Sequence, residues 1–184
     1  MRLTETKVYR GPNLYGYRPV IRWTLDLEAL EDYPTTRLPT FSERLIELIP
    51  TLHDHDCSYG QPGGFVRRLH EGTWLGHVAE HIAIELQGLA GTHVTYGKTR
   101  STGHKEGEYY VVYSYLEERV GLAAGRLALR LIQDLVPEEL RGIEGLELLD
   151  VDDDQPVDAP FDFEEELAEL IMLANRLALG PSTQ

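Results

Sequence analysis

Residues 73–89 read TWLGHVAEHIAIELQGL. Leu75, Val78, Ala79, Ile82, Leu86 and Leu89 recur at helical spacing and make one apolar stripe. Thr73 is the expected N-cap and Gly91 the expected stop of this helix. At ~100° per residue, His77 and His81 fall roughly opposite the stripe, one turn above each other. They are therefore not incidental members of the main apolar face. Trp74 and Ile84 share their side, so protein cover is expected over the histidines too.

On the N-terminal side, Leu3–Tyr9 and Val20–Leu27 read as strands, separated by Gly11-Pro12-Asn13 and Gly16. In the second, Val20, Arg22, Thr24 and Asp26 alternate with Ile21, Trp23, Leu25 and Leu27, which predicts one buried face. Thr40–Leu52 is predicted helical, capped by Thr40 or Ser42, with Leu45, Ile46, Leu48 and Ile49 as its apolar stripe. A loop rich in His, Asp, Gly and Pro follows, His53–Gly64, and holds Cys57.

Beyond the central helix, Val94–Thr99 and Glu108–Leu116 read as strands joined by the polar stretch Arg100–Gly107. Glu117–Leu135 is an amphipathic helix stopped by Pro137. Asp150–Pro160 is an acidic, proline-containing linker, and Phe161–Ala178 a last helix whose acidic start suits its dipole. No internal repeat is present. The order predicts an α+β fold: a mostly antiparallel sheet of about four strands, helices on one face, and an appended C-terminal helix. Two units are expected, a domain over 1–150 and a linker with helix over 151–184.

The 184 residues, 42% hydrophobic and 26% charged, suffice for one domain with a genuine core. The net charge of −14 argues against non-specific nucleic-acid binding, which needs a positive surface. Acidity chiefly favours solubility, and it is compatible with cationic ligands such as arginine-rich chains. One cysteine excludes an internal disulfide and implies no oxidising compartment. Residues 1–7 lack the apolar core of a signal peptide, and no apolar run approaches ~18 residues. A cytoplasmic protein is expected.

His77-Val78-Ala79-Glu80-His81 carries the chemistry. Two imidazoles four apart can share one metal ion, and Glu80 completes the H-x-x-E-H order of inverzincins. A catalytic Zn2+ takes three protein ligands and leaves one position open. Cys57 is the first choice for the third, because a thiolate binds zinc strongly and its loop can fold over the helix. Glu85, one turn past His81, is the rival, unless it orients His81 instead; His53, His55 and Asp56 are weaker rivals. Glu80 is the expected base. The bland reading is a cysteine acting as a small hydrophobe beside two hydrogen-bonded histidines. Lys98, Arg100 and Lys105 form a basic patch, read first as a solvated hairpin and otherwise as a carboxylate clamp led by Arg100. Gly60, Gly63 and Gly64 lack the lysine and hydroxyl of a phosphate loop. Tyr109, Tyr110, Tyr113 and Tyr115 read as strand-face residues.

Arg10-Gly11-Pro12-Asn13, the loop Cys57–Phe65, the helix Gly72–Gly91, Tyr96–Arg100 and the run Glu117–Arg130 with Ala123-Ala124-Gly125-Arg126 together resemble the N-terminal domain of cyanophycin synthetase. The ending Leu179–Gln184 is similar to that family's entry into an ATP-grasp domain. The resemblance implies a piece of a larger enzyme that polymerises aspartate and arginine with ATP-grasp and Mur-ligase-like domains, neither of them in these residues. It implies homo-oligomeric assembly of that parent. It also implies a first domain that holds cyanophycin (multi-L-arginyl-poly-L-aspartate) and, in some members, cuts it internally to make primers. Cys57, His77 and His81 match the metal ligands of that zinc-dependent hydrolase, and Glu80 its catalytic residue. Lys98 and Arg100 are the expected contacts to substrate carboxylates. Two other readings compete: a non-catalytic polymer-binding scaffold with at most a structural metal, and a different zinc enzyme with the same helix and cysteine, as in S-ribosylhomocysteine lyases.

Overall fold

The computed structural model describes residues 1–137 and 161–179. The acidic stretch Asp150–Pro160, the boundary expected at 150, and Gly180–Gln184 lie outside the described residues. Four strands, β1 (Arg2–Tyr9), β2 (Val20–Asp26), β3 (Gly97–Ser101) and β4 (Glu108–Ser114), form one sheet in the order β1-β2-β4-β3, every neighbouring pair antiparallel. The helices are α1 (Phe41–Leu48), α2 (Gly64–Glu71), α3 (Leu75–Leu89), α4 (Glu118–Leu135) and α5 (Phe163–Ala178). This is the α+β architecture expected.

The alternation in β2 sets the layers. Ile21, Trp23 and Leu25 pair in register with Tyr113, Val111 and Tyr109 of β4, and all but the last are buried on the face that receives the helices. The opposite face is polar: Arg22 pairs with Glu5 of β1 and lies over the Tyr110 ring, 4.6 Å from its centroid. Lys98 and Arg100 stand in register with Val112 and Tyr110, so they belong to this polar face, whereas Gly97 and Thr99 face inward.

Helix α3 is the hub. Leu75, Val78, Ala79, Ile82, Ala83 and Leu86 are fully or almost fully buried, and the helix packs on α4, β3 and β4. A Cβ on Gly76 would meet Val111, Thr99 and Tyr109 at ordinary contact distance, so the start of α3 lies close over the sheet. Helix α4 reaches the other half of the sheet through Gly121 and Gly125, one turn apart. A Cβ on Gly121 would stand 2.7 Å from that of Tyr115, and one on Gly125 would overlap the buried Tyr113 hydroxyl and the Trp23 ring. Helix α5 then covers α4 with Phe163, Leu170 and Ala174, beside an Arg130–Glu166 ion pair. Asp162 caps α5, its carboxylate accepting from the backbone N–H groups of Glu164 and Glu165 at 3.0 and 3.2 Å.

Several boundaries differ from expectation, each with a local reason. The helix expected over Thr40–Leu52 stops at Leu48, because Pro50 starts a separate 3-10 turn, Pro50–Asp54. Thr40 makes no side-chain cap. Thr73 does not cap α3 either: the cap position belongs to Trp74, and the Thr73 hydroxyl bonds to the His77 ring. The third strand begins at Gly97, not Val94, and the fourth ends at Ser114. Helix α2 had no counterpart in the sequence reading.

The polar stretch after β3 is not simply solvated, since Lys105 folds back to pair with the carboxylate of Asp26, which is 2% exposed. Burial alone raises the Asp26 pKa, but Lys105, the Glu28 backbone N–H and Arg2 outweigh it and hold the group below its ordinary value. The folded state therefore binds fewer protons at this site than the unfolded chain, so the contribution is present above pH ~4 and fades as pH falls below it. Lys105→Met is expected to flatten this acid limb in urea titrations between pH 3 and 7. Its cost at neutral pH is about 1 kcal/mol, because Lys105 is half exposed and screened. Gly125→Ala is expected to destabilise the fold by about 1–3 kcal/mol, since overpacking against two buried rings outweighs the roughly 1 kcal/mol helix-propensity gain. The urea midpoint measures it.

Candidate metal centre

Two segments bring the candidate ligands together. Helix α3 presents His77 and His81 from consecutive turns, and a 3-10 turn, Cys57–Tyr59, lays Cys57 over them. The Sγ of Cys57 is 3.4 Å from Nε2 of His77, and one donor atom from each of Cys57, His77 and His81 lies within 4.8 Å of the others. Tetrahedral zinc with Zn–S ~2.3 Å and Zn–N ~2.0 Å requires ligand atoms about 3.3–3.6 Å apart. The Cys57–His77 pair already has that spacing, and side-chain shifts of about an ångström bring in the third. One thiolate with two imidazoles is a donor set suited to zinc.

The Cys57 turn is held, not loose. Cys57 has φ = +50°, a left-handed backbone that costs a non-glycine residue about 1–3 kcal/mol. Backbone bonds from Gly63 N–H to the His53 carbonyl (2.6 Å) and from Phe65 N–H to the His55 carbonyl (3.1 Å) close the loop. Gly64 starts α2 so close beneath it that a Cβ there would collide with the Asp56 carbonyl. Tyr59 donates to Glu71 and has the guanidinium groups of Arg67 and Arg68 4.5 and 5.5 Å from its ring centroid, pinning the turn to α2. The loop expected to fold over the helix is thus tied to α2.

Helix α2 also supplies Phe65, fully buried, whose ring stacks on His81 at 4.0 Å and meets His77 edge-on at 5.9 Å. The sequence reading missed this residue. The available signal was faint: Phe65 and Leu69 one turn apart, Arg67 and Glu71 likewise, bracketed by Gly63-Gly64 and Gly72. Burial under Phe65 lowers the pKa of both histidines, His77 to about 4 with help from the Arg68 charge, and His81 further, with help from His77 and His55. Both are neutral at physiological pH, the form that binds metal.

Glu80 lies between the histidines and the sheet, 6% exposed. Its Oε2 accepts from the Thr99 hydroxyl at 2.6 Å. Burial raises its pKa to about 7, the Thr99 bond opposing. Gly97 makes room for it: a Cβ there would come within 2.6 Å of the Glu80 Cγ. On the far side of His81, His55 Nδ1 is 2.8 Å from His81 Nδ1, and His55 Nε2 is 2.7 Å from Glu85 Oε2. Glu85 thus contacts His55 and is not in the Cys57–His77–His81 cluster. His53 is exposed and contributes its carbonyl to the loop.

A cavity of about 790 Å3 opens over Cys57, His77, Glu80 and His81. Asp54, Asp56, Arg68, Lys98 and Arg100 stand around it, with Trp74 and Tyr109 as aromatic walls. Lys98 and Arg100 border it from the edge strand β3, while their register keeps them on the sheet's polar face, where Arg100 lies 5.7 Å from the Tyr110 ring centroid. No helix among the described residues is long and apolar enough to cross a membrane.

An antiparallel sheet backing a helix with an H-x-x-E-H segment, closed by a cysteine turn, defines an α+β domain with a candidate Cys/His/His metal centre. Residues 22–137 match the family model of the cyanophycin synthase-like N-terminal domain. The whole chain aligns over 186 residues with the cyanophycin synthetases of Trichormus variabilis (40% identical), Synechocystis sp. (40%) and Geminocystis herdmanii (38%). The chain belongs to the cyanophycin synthetase N-terminal domain family. It spans 19% of the length of each of these relatives.

Zinc added to chelator-stripped chain is expected to raise its melting temperature. At a free concentration of 100 Kd the stabilisation is about 2.7 kcal/mol. Cys57→Ala and His77→Ala should each abolish the rise, while His53→Ala leaves it intact; differential scanning fluorimetry distinguishes them.

Proposed function

We propose that this chain binds one zinc ion through Cys57, His77 and His81 and hydrolyses cyanophycin internally, with Glu80 carrying the proton. The observation that supports this best is the placement of Glu80. A buried carboxylate, raised by burial to a pKa of about 7 in the metal-free protein, borders the same cavity as the three candidate ligands, one residue from His81. A purely structural metal needs no such group, and a carboxylate near neutrality can both accept and return a proton.

Zinc in such a site supplies a Lewis acid for a carbonyl oxygen and lowers the pKa of water. The chain's own residues do the rest. Glu80 takes a proton from water as its oxygen bonds to the amide carbon of the poly-aspartate backbone. As the C–N bond breaks, Glu80 delivers that proton to the departing amine. Thr99 holds Oε2 and so orients the carboxylate. Arg68 at the cavity, with Lys98 and Arg100 on the adjoining polar face of the edge strand, can meet polymer carboxylates, and Asp54 and Asp56 can meet arginyl guanidinium groups.

In this reading residues 1–150 are the hydrolytic and polymer-holding domain, and 151–184 lead toward ATP-grasp and Mur-ligase-like domains of a cytoplasmic, homo-oligomeric ligase. The relatives are cyanophycin synthetases, which supports that setting.

The test is incubation of the zinc-loaded chain with purified cyanophycin, with chain length followed by gel electrophoresis. Wild type is expected to shorten the polymer, and Glu80→Gln to lower the rate by about 10²–10⁴ at unchanged zinc content. Intact polymer after incubation with the zinc-loaded wild type, under conditions in which an authentic cyanophycin hydrolase works, overturns the catalytic reading in favour of a scaffold.

A further inference from the structure

We infer that Glu85 and His55 form a two-member relay that fixes the tautomer of His81 and so leaves its Nε2 as the nitrogen able to bind a metal. The inference rests on the reading of Cys57, His77 and His81 as a metal centre, and it assigns His55 and Glu85 as positioning residues.

Counting protons fixes each tautomer. A neutral imidazole carries one N–H and one lone pair. His81 Nδ1 lies 2.8 Å from His55 Nδ1, so that nitrogen is engaged and Nε2 is the one left for a metal. A metal on Nε2 takes the lone pair there, which puts the His81 proton on Nδ1. That N–H must donate, so His55 Nδ1 must accept with its lone pair bare. The single proton of His55 then sits on Nε2 and donates to Glu85 Oε2, 2.7 Å away. Glu85, as a carboxylate, only accepts. Reversing any one member breaks the series: if His55 donated through Nδ1, His81 would carry its proton on Nε2 and lose its metal lone pair. Both His55 nitrogens are spent in this way, so it has none for the metal. His77 has a shorter version of the same arrangement, with Thr73 Oγ1 2.9 Å from its Nδ1 and Nε2 turned to Cys57.

The surroundings hold the relay in place. The side chains of His55 and Glu85 are 14% and 16% exposed, so water competes weakly for their hydrogen bonds. His55 is fixed through its backbone, its carbonyl accepting from Phe65 N–H and its own N–H donating to the Leu52 carbonyl. Its ring lies 6.2 Å from that of Phe65, the same ring that stacks on His81. Groups of this kind, bonded to the far nitrogen of a ligating histidine, typically govern 10–100-fold in metal affinity.

Two measurements on the 184-residue chain test the relay, and neither reads hydrolysis. Long-range 1H–15N correlation spectra of the zinc-loaded protein should show His81 protonated at Nδ1 and metal-shifted at Nε2, with His55 protonated at Nε2 alone. A His81 proton on Nε2, or a metal-shifted nitrogen on His55, overturns the inference. Chelator competition should show zinc affinity falling 10–100-fold in Glu85→Leu and His55→Phe. Glu85→Gln, whose amide oxygen still accepts from His55, should recover most of the loss. Wild-type affinity in both disruptive variants overturns the relay and leaves the metal centre standing. Failure of the wild type to bind zinc overturns both.

Discussion

Burial of most of α3, its polar side included, is the constraint that the rest of the structure answers to. The helix carries the central apolar stripe, and it also carries Glu80, His81 and, half-buried, His77. A helix that leaves one face to solvent can place such groups there at little cost. Here that face is roofed by α2 and the Cys57 turn, so each polar atom needs a partner within the protein. Thr73 answers His77, His55 answers His81, and Thr99 answers Glu80. These three partners come from the residue pair before α3, from the loop after α1, and from β3. The polar side of one helix thereby ties these three segments together.

The roof itself is built from unfavourable pieces. Cys57 adopts a left-handed backbone and Gly64 admits a carbonyl where any side chain would collide. Both features persist because Tyr59, Arg67, Arg68 and Glu71 bind the turn to α2, and Phe65 anchors α2 against the histidine rings. Of the three left-handed non-glycine residues among the described residues, Glu28, Thr40 and Cys57, the last is the one that presents the thiol. A relaxed loop would cost less and would not hold Sγ 3.4 Å from an imidazole nitrogen.

Much of this was legible in the sequence, for identifiable reasons. Long periodic segments gave α3, α4 and the alternating strand β2, and the i, i+4 spacing of His77 and His81 follows from helix geometry alone. The proximity of Cys57 to them is a tertiary fact that no spacing encodes, so it could be offered only as a choice among Cys57, Glu85 and the loop histidines. Helix α2 was invisible because eight residues give barely two turns of periodicity, and its Gly-Gly start reads as loop. Lys105 looked like surface charge because its partner Asp26 lies 79 residues earlier. Thr73 illustrates a subtler failure. Its type and position are right for a cap, yet its hydroxyl bonds to the His77 ring and the cap position falls one residue later, on Trp74.

Helix geometry also explains how one element can serve three tasks. His77 and His81 stand one turn apart with their donor atoms in a common pocket, while Glu80, one position before His81, is rotated by ~100° toward the sheet and so meets Thr99 and Gly97 instead of the Cys57 turn. Glu85, one turn beyond His81, reaches past it to His55. The same periodicity that buries Val78, Ala79, Ile82 and Leu86 thus distributes ligand, proton-carrying and orienting groups to three different neighbours. The glycine at 97 is the counterpart on the sheet, because an inward side chain at that register position would occupy the volume of the Glu80 carboxylate. Core packing and site geometry are here one problem: the distance between α3 and β3 that closes the core is also the distance that sets where Glu80 can stand.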